Sequence, residues 1–424
     1  MIRYVLLALV LSPLIGAQTL TTAEEIRRAL AQVPADETDP WLDCAVAPIK
    51  PVLSFGLRLQ AGYVFRFPLR QFPGPGHSLT VLTTVTPEGS REPVHLIDHL
   101  ALPAIPRTDM DGESGGGFFV GEGRYHVNWL LFDDQGRKCM TSWGIDARLD
   151  RAGRAVKLVM PPDSVTEISL GAGPVRRPDP VPPKRLTILL DAAPLTFGRS
   201  ATSMISSSDQ VMLLGALSAL LERVPASSVR LVVFNLEQQK ELLRRDGFTL
   251  QSIDEVARTL NQLKLGKVDV QVLASRTGHV DLLAGLINGE LRADPPPDVV
   301  IFLGPRERFH DRVSAKALQP HSGAAPRFLY LACHAPRLVQ GGVVGDQGSD
   351  IASGMLLDVT PAWDGVKDNP TSRKPVRALI PDSPERLPDT VSLAVGTLKG
   401  KTLDIDSPSQ FAQAIQVIER PAGR

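Results

Sequence analysis

Two folds are predicted in one chain: an all-β sandwich towards the N-terminus, and an α/β domain built on a doubly wound, mostly parallel sheet towards the C-terminus. Three observations carry this. From residue 41 to 160, short apolar alternations recur between Gly- and Pro-rich turns, at roughly the ten-residue spacing of a β-sandwich. From 185 onward, apolar strands alternate with helical patterns, as they do in a parallel sheet covered by helices on both faces. Between the two, residues 161–184, "PPDSVTEISLGAGPVRRPDPVPPK", are proline-rich and read as a semi-rigid linker.

The elements follow in order. Residues 1–17 read as a signal peptide: Arg3, an apolar run from Tyr4 to Ile15, then small Gly16 and Ala17 before Gln18. The alternative is an uncleaved anchor, although the run is short for a bilayer and contains Pro13. Residues 18–40 hold one amphipathic helix, with Thr21 or Thr22 as its cap and Glu24 and Glu25 in its first turn. In 41–160, "SFGLRLQAGYVFRFPL" and "SLTVLTTVTPEG" alternate as strands. "GEGRYHVNWLLFDDQGRKCMTSW" is two strands joined through Asp133-Asp134-Gln135-Gly136. In 185–424, "LTILLD", "VRLVVFN", "DVVIFLGP" and "RFLYLACHA" are strands, and Ser208 or Asp209 caps the helix after the first of them. An apolar stretch, "TVSLAVGTL", precedes a last helix, "SPSQFAQAIQVIER". The Gly-, Pro- and Asp-rich region at 335–390 reads as a long loop excursion.

Lys+Arg and Asp+Glu both total 46. A net charge of zero favours no polyanion, so nucleic acid is not an expected partner, and no membrane span is expected in the mature chain. Three cysteines are present. Export would bring them to an oxidising compartment, where Cys44 and Cys139, which bracket the β domain, are the natural disulfide pair; the alternative is two buried free thiols. Cys333 lies in an apolar run and reads as a small core residue.

Two resemblances add to this reading. "GEGRYHV" resembles the Gly-x-Tyr strand entry of immunoglobulin-like domains, where a tyrosine hydroxyl ties a corner to nearby backbone. The order of elements from 185 onward resembles a von Willebrand factor A-like (VWFA-like) domain, of the type secreted by some bacteria. It rests on "LTILLD" before the first helix, on "VRLVVFN", on "DGFTLQSIDEVARTLNQL" and on "DVVIFLGP". In that family the first strand ends in Asp-x-Ser-x-Ser, and a threonine and a second aspartate from other loops complete a Mg²⁺ site. Asp191 matches the first aspartate. Ala193 and Leu195 stand where the serines would be, and Gly304 and Pro305 where a carboxylate is wanted; Thr277 is the candidate threonine. Mg²⁺ needs near-octahedral oxygen ligation, so the resemblance implies a degenerate site with no metal and no cofactor.

Asp191, Ser203 and Thr277 are therefore the candidate ligand-binding residues. Against that, an aspartate at a strand end also serves to accept backbone N–H bonds, and the serines of "TSMISSSDQ" also serve as caps. "HLIDH", His95 to His99, has zinc-like i, i+4 spacing, but Pro93 and Pro103 bracket it, and two loop histidines are the plainer reading. "GESGGGFFVGEG" lacks the Lys-Ser/Thr of a phosphate loop and reads as a mobile loop entering a sheet. His279, His310 and His334 read as surface or satisfied histidines. The expectation is an exported, non-catalytic protein that binds a protein or cell-envelope partner without metal. The competing classes are a secreted hydrolase with an unrecognised site and a metal-dependent adhesion domain using Asp191.

Overall fold

The structure is a computed structural model. It describes residues 18–31, 41–90, 92–150, 153–154, 156–171, 173–175, 182–195, 204–265, 267, 269–318, 325–334 and 387–420. The expected signal peptide at 1–17, Ser203, and all of the 335–390 excursion except 387–390 lie outside the described residues. Strands predominate and form three sheets, with most of the helix late in the chain. Among the described residues, no helix is long and apolar enough to cross a membrane.

The chain divides into two compact units. One comprises Met1–Val52, Leu59–Arg148 and Pro161–Pro174; the other comprises Leu53–Arg58, Leu149–Met160 and Val175–Arg424. This differs from a clean change of domain within 161–184. The "SVTEI" segment keeps strand alternation despite its proline-rich surroundings, and Val165–Glu167 (β9) joins a sheet of the first unit. Residues 149–160 contribute buried Leu158, Val159 and Met160 to the second unit instead.

In the first unit, β1 (Thr19–Thr21) pairs with β5 (Val94–Leu102), and the sheet continues through β4 (His77–Pro87), β7 (Gly123–Asp133) and β8 (Lys138–Ala147). A second sheet runs β2 (Ala45–Leu53), β3 (Leu59–Pro68), β6 (Asp111–Val120), β9. Tyr63, Phe65 and Phe67 of β3 share a core with Leu79 and Val81 of β4 and Trp129 and Leu131 of β7, so both sheets bury one face together. Cys44 and Cys139 are disulfide-bonded, so the segment just before edge strand β2 is tied to edge strand β8 of the other sheet. The Tyr125 hydroxyl donates to Gly121 O at 2.9 Å and Ser164 O at 3.2 Å, tying the turn before β7 to the segment before β9.

Three local readings are corrected here. The N-terminal stretch is not helical throughout. Thr19–Thr21 is strand, and α1 (Ala23–Ala31) starts behind a capping box in which the Thr22 hydroxyl accepts from Glu25 N and the Glu25 carboxylate accepts from Thr22 N. "HLIDH" is not a loop but part of β5. His95 and His99 bond Thr84 and Thr80 across the strand, and four residues of strand separate them by about 13 Å, too far to share a zinc ion. The glycine-rich stretch is β6 itself, not a loop. A Cβ at Gly116 would lie 2.5 Å from the Tyr63 hydroxyl oxygen and 2.8 Å from Gln18 Cδ. Glycine is what admits the Gln18 side chain to Tyr63 and Thr83.

The second unit has one six-stranded sheet, in the order β12 (Lys240–Asp246), β11 (Ala226–Asn235), β10 (Lys184–Asp191), β13 (Val299–Pro305), β14 (Arg327–Cys333), β15 (Lys401–Ile405). All neighbours are parallel except the β11–β12 pair. Leu189, Phe234, Phe302 and Tyr330 face α5 (Gly278–Leu291) and α6 (Thr390–Thr397). The alternate residues Ile188, Leu231, Ile301 and Leu331 are buried as well, as expected where both faces of a parallel sheet are covered. On "TVSLAVGTL" the helix wins: Asp389 caps α6 by accepting from Val391 N and Ser392 N, both at 3.1 Å. For α2 (Ser207–Arg223), the cap is Ser206, two or three residues ahead of the expected ones. Asp209 is buried in the first turn, and its carboxylate accepts from Leu195 N at 3.4 Å. The remaining helices are α3 (Ile253–Gln262), α4 (Val270–Ala274) and α7 (Pro408–Glu419).

Candidate functional site

Strand order fixes where a site can form. From β10 the chain goes to β11 on one side and later returns to β13 on the other. In open α/β sheets the crevice lies outside the carboxyl ends of the strands where the order reverses. Asp191 ends β10, and Pro305 ends β13. The two strand ends approach closely, because a Cβ on Gly304 would lie 2.7 Å from Asp191 Cβ and 3.1 Å from its carbonyl oxygen. Gly304 thus stands in for a packing requirement and not for a lost ligand.

A second carboxylate, Glu307, lies two residues beyond β13. Glu307 is 6% exposed and Asp191 4%, and each carboxyl bears on the charge of the other. Neither Asp191 oxygen meets a well-formed donor. The backbone around Asp191 is satisfied by others: Ala192 N donates to Phe234 O at 2.7 Å, and Asn235 Nδ2 donates to Ala192 O at 2.7 Å. Asn235 also accepts from Gln238 N, shaping the turn that carries exposed Glu237.

Burial raises the Asp191 carboxyl well above the ordinary aspartate range, and the charge of Glu237 adds to this; the contacts with Glu307 and Leu236 N–H oppose it. Glu307 is raised in the same way, first by burial and then by Asp191, Glu237 and Asp389. Burial also raises Asp389, against the opposing pull of its two cap N–H donors and of Arg306. The Tyr330 hydroxyl, which donates to Pro305 O, is pushed up by burial and by the surrounding carboxyls. Glu307 is anchored through its backbone, since its carbonyl accepts from Thr390 N at 2.7 Å. Phe309 N donates to Thr390 Oγ1 at 3.2 Å, and the Phe309 ring stacks on His279 at 4.1 Å between centroids.

Thr277 does not join this group. It precedes α5, and its hydroxyl donates to Asp281 at 3.1 Å. His334 lies at the end of β14, 3.4 Å from Asp404, which is also bound by Arg306. Burial works against charge on Asp404, but Arg306 and His334 outweigh it and hold that carboxyl below its ordinary range. His279 is 8% exposed, and burial lowers its pKa. A cleft of about 210 Å³ lies at the opposite, amino end of the strands beside Arg185, Arg230 and Asp246. Those groups already pair, Arg230 with Asp246 and Glu290, and Arg185 with Asp298.

The described residues at Asp191 do not fit a Mg²⁺ site. Ala193 and Leu195 are buried and offer no side-chain oxygen, and among the described residues no three His, Cys, Asp or Glu side chains converge as a ligand set. Two carboxyl groups fall short of the oxygen shell that Mg²⁺ requires.

No protein-family description matches the chain, and no curated protein matches it. Among solved structures, the ApaA protein from Bordetella pertussis aligns at 10% identity over 26% of this chain and 98% of its own, with a TM-score of 0.17. A structural-genomics target aligns at 11% identity over 28% of this chain and 96% of its own, with a TM-score of 0.16.

Proposed function

We propose that this is an exported, non-catalytic binding protein. In this reading residues 1–17 are a signal peptide. The first unit is an immunoglobulin-like β-sandwich. The second is a VWFA-like, doubly wound α/β domain that engages a protein or cell-envelope partner at the carboxyl end of its sheet, without a metal ion. The observation that carries it is the reversal of strand order between β10 and β13, with Asp191 and Glu307 at the crevice this creates. The Tyr125 corner supports the immunoglobulin-like part, and the Cys44–Cys139 bond fits an oxidising compartment. The closed carboxyl pair favours binding over hydrolysis, since a general acid or base must reach its substrate.

The test uses residues 18–424 on beads with envelope extract and EDTA. A partner should be retained by the unchanged protein and by Asp294→Arg, which alters an exposed residue ahead of β13 at the amino end. It should be lost with Glu237→Arg at the carboxyl end. Retention that needs a divalent cation, or that ignores Glu237→Arg, overturns the reading.

A further inference from the structure

In the first unit, β5 points a carboxyl inward. Asp98 is 6% exposed and lies directly opposite Val81 of β4, on the face that also buries Leu96. Burial works against its charge, and the backbone N–H and ring of His99, the next residue along β5, oppose that effect. On the other side of β5 lies the start of β1. Thr19 pairs with Ile97 and Thr21 with His95, antiparallel. Carrying that register back one residue sets Gln18 opposite Asp98, with both side chains on one face. Gln18 is 5% exposed, and its carboxamide donates to the Tyr63 and Thr83 hydroxyls, the latter at 3.0 Å. Opposed residues of an antiparallel pair have Cα atoms about 4.5–5.5 Å apart. The backbone nitrogen of Gln18 therefore comes within reach of the Asp98 carboxyl. A second carboxylate meets the same strand from β9, where Glu167 accepts from Leu20 N at 2.8 Å.

A mid-chain amide nitrogen is neutral and cannot balance a buried carboxylate; a chain terminus carries a positive charge and three donors. We propose that the α-ammonium freed at Gln18 by removal of residues 1–17 forms a buried ion pair with Asp98, which locks β1 onto β5 and completes the sandwich only after export. The proposal rests on the reading of residues 1–17 as an export signal. In the cleavage, carried out by a signal peptidase, water adds across the Ala17–Gln18 bond. Ala17 leaves with a carboxylate, and Gln18 keeps the nitrogen as an ammonium.

The charge lasts only if the new terminus stays open. A free N-terminal glutamine closes to pyroglutamate when its α-nitrogen attacks Cδ: a C–N bond forms, and the carboxamide nitrogen leaves as ammonia. Here Tyr63 and Thr83 hold the carboxamide away, in the core, and Asp98 holds the α-nitrogen protonated, so the folded chain keeps its glutamine.

The experiment compares chains that begin at Gln18, Ala17 and Gly16, each released from a fusion without added residues and ending at Arg424. They are unfolded thermally at about pH 6.5, where an ordinary α-amino group is charged. Tryptophan fluorescence follows the first unit, in which Trp129 is buried. The midpoint should be about 2–4 °C higher for the chain beginning at Gln18 than for either longer chain. With Asp98→Asn the three midpoints should coincide. A second readout needs no variant: an amine-reactive label should modify the Gln18 α-amine at least about tenfold more slowly in the folded chain than in denaturant, the equivalent of one pKa unit. Equal midpoints for the three unchanged chains, a difference that survives Asp98→Asn, equally fast labelling, or loss of ammonia from the folded chain overturns the proposal. N-terminal sequencing of the exported protein separates the two readings. A first residue other than Gln18 overturns the cleavage site, whereas equal midpoints with Gln18 first overturn the ion pair alone.

Discussion

Gly116→Ala would put a methyl carbon 2.5 Å from the Tyr63 hydroxyl oxygen and 2.8 Å from Gln18 Cδ. Neither neighbour can retreat freely, because Tyr63 is 1% exposed and Gln18 5%. Overpacking of this kind costs about 1–3 kcal/mol, so chemical denaturation should report a loss in that range. The neighbouring exposed substitution Glu113→Gln should change little. At this same scale Asp191 is legible in the sequence, because an apolar strand running into a carboxylate marks a strand end. Glu307 is not. It lies in "RERFH", whose charges read as a solvated turn, and only the backbone link from Glu307 to Thr390 draws it inward. Gly304 misleads in the opposite direction: it looks like a lost ligand and is a packing contact.

Among the elements, the disulfide joins the segment just before β2 to edge strand β8 across 95 residues of chain. Reduction should destabilise the first unit by about 2–5 kcal/mol. Thiol labelling of unfolded, unreduced protein should find one thiol, Cys333; finding three would remove the bond. Labelling of the native protein should find none. Cys333 is 1% exposed, and burial pushes its pKa up to about 12, so no useful fraction is thiolate at neutral pH. The strands β3, β4, β7, β8, β10, β11, β13 and β14 are legible because their alternation or apolar runs are long, whereas β5 and β6 are as long but are hidden by their histidines and glycines. The short β1 and β9 are not legible, since three residues carry no period and only pairing with β5 and β6 reveals them. α6 is hidden for a related reason: a short eight-residue run of small and apolar residues fits strand or helix equally, and the deciding cap, Asp389, sits just outside it.

Within the second unit of the molecule, Arg58 donates to both oxygens of Glu222 on α2, at 2.9 and 2.7 Å, with both side chains 3% exposed. Leu57 is buried there too, Phe55 lies 6.2 Å from Phe411 of α7 between ring centroids, and a Cβ at Gly215 would lie 3.2 Å from Gly56 N. Arg58→Ala leaves a buried carboxylate alone, which costs about 3–5 kcal/mol. Adding Glu222→Gln to Arg58→Ala should recover much of that loss, and a double-mutant cycle in denaturant measures it. A chain of residues 185–424 lacks all of these contacts and should unfold earlier than the same unit in the full protein. Sequence texture misses this arrangement because "SFGLRL" alternates like any strand and turn, and nothing local says that its partner is 164 residues away.

That separation also sets a timetable. A chain that emerges N-terminus first, from a ribosome or a translocation channel, presents residues 53–58 long before Glu222 exists and longer still before Phe411 does. Their burial must wait for the last helix to arrive, so the late unit cannot be completed in order of appearance. Contacts of such range slow folding and prolong the exposure of apolar surface. The interval is one in which a holding chaperone would find Phe55 and Leu57 uncovered.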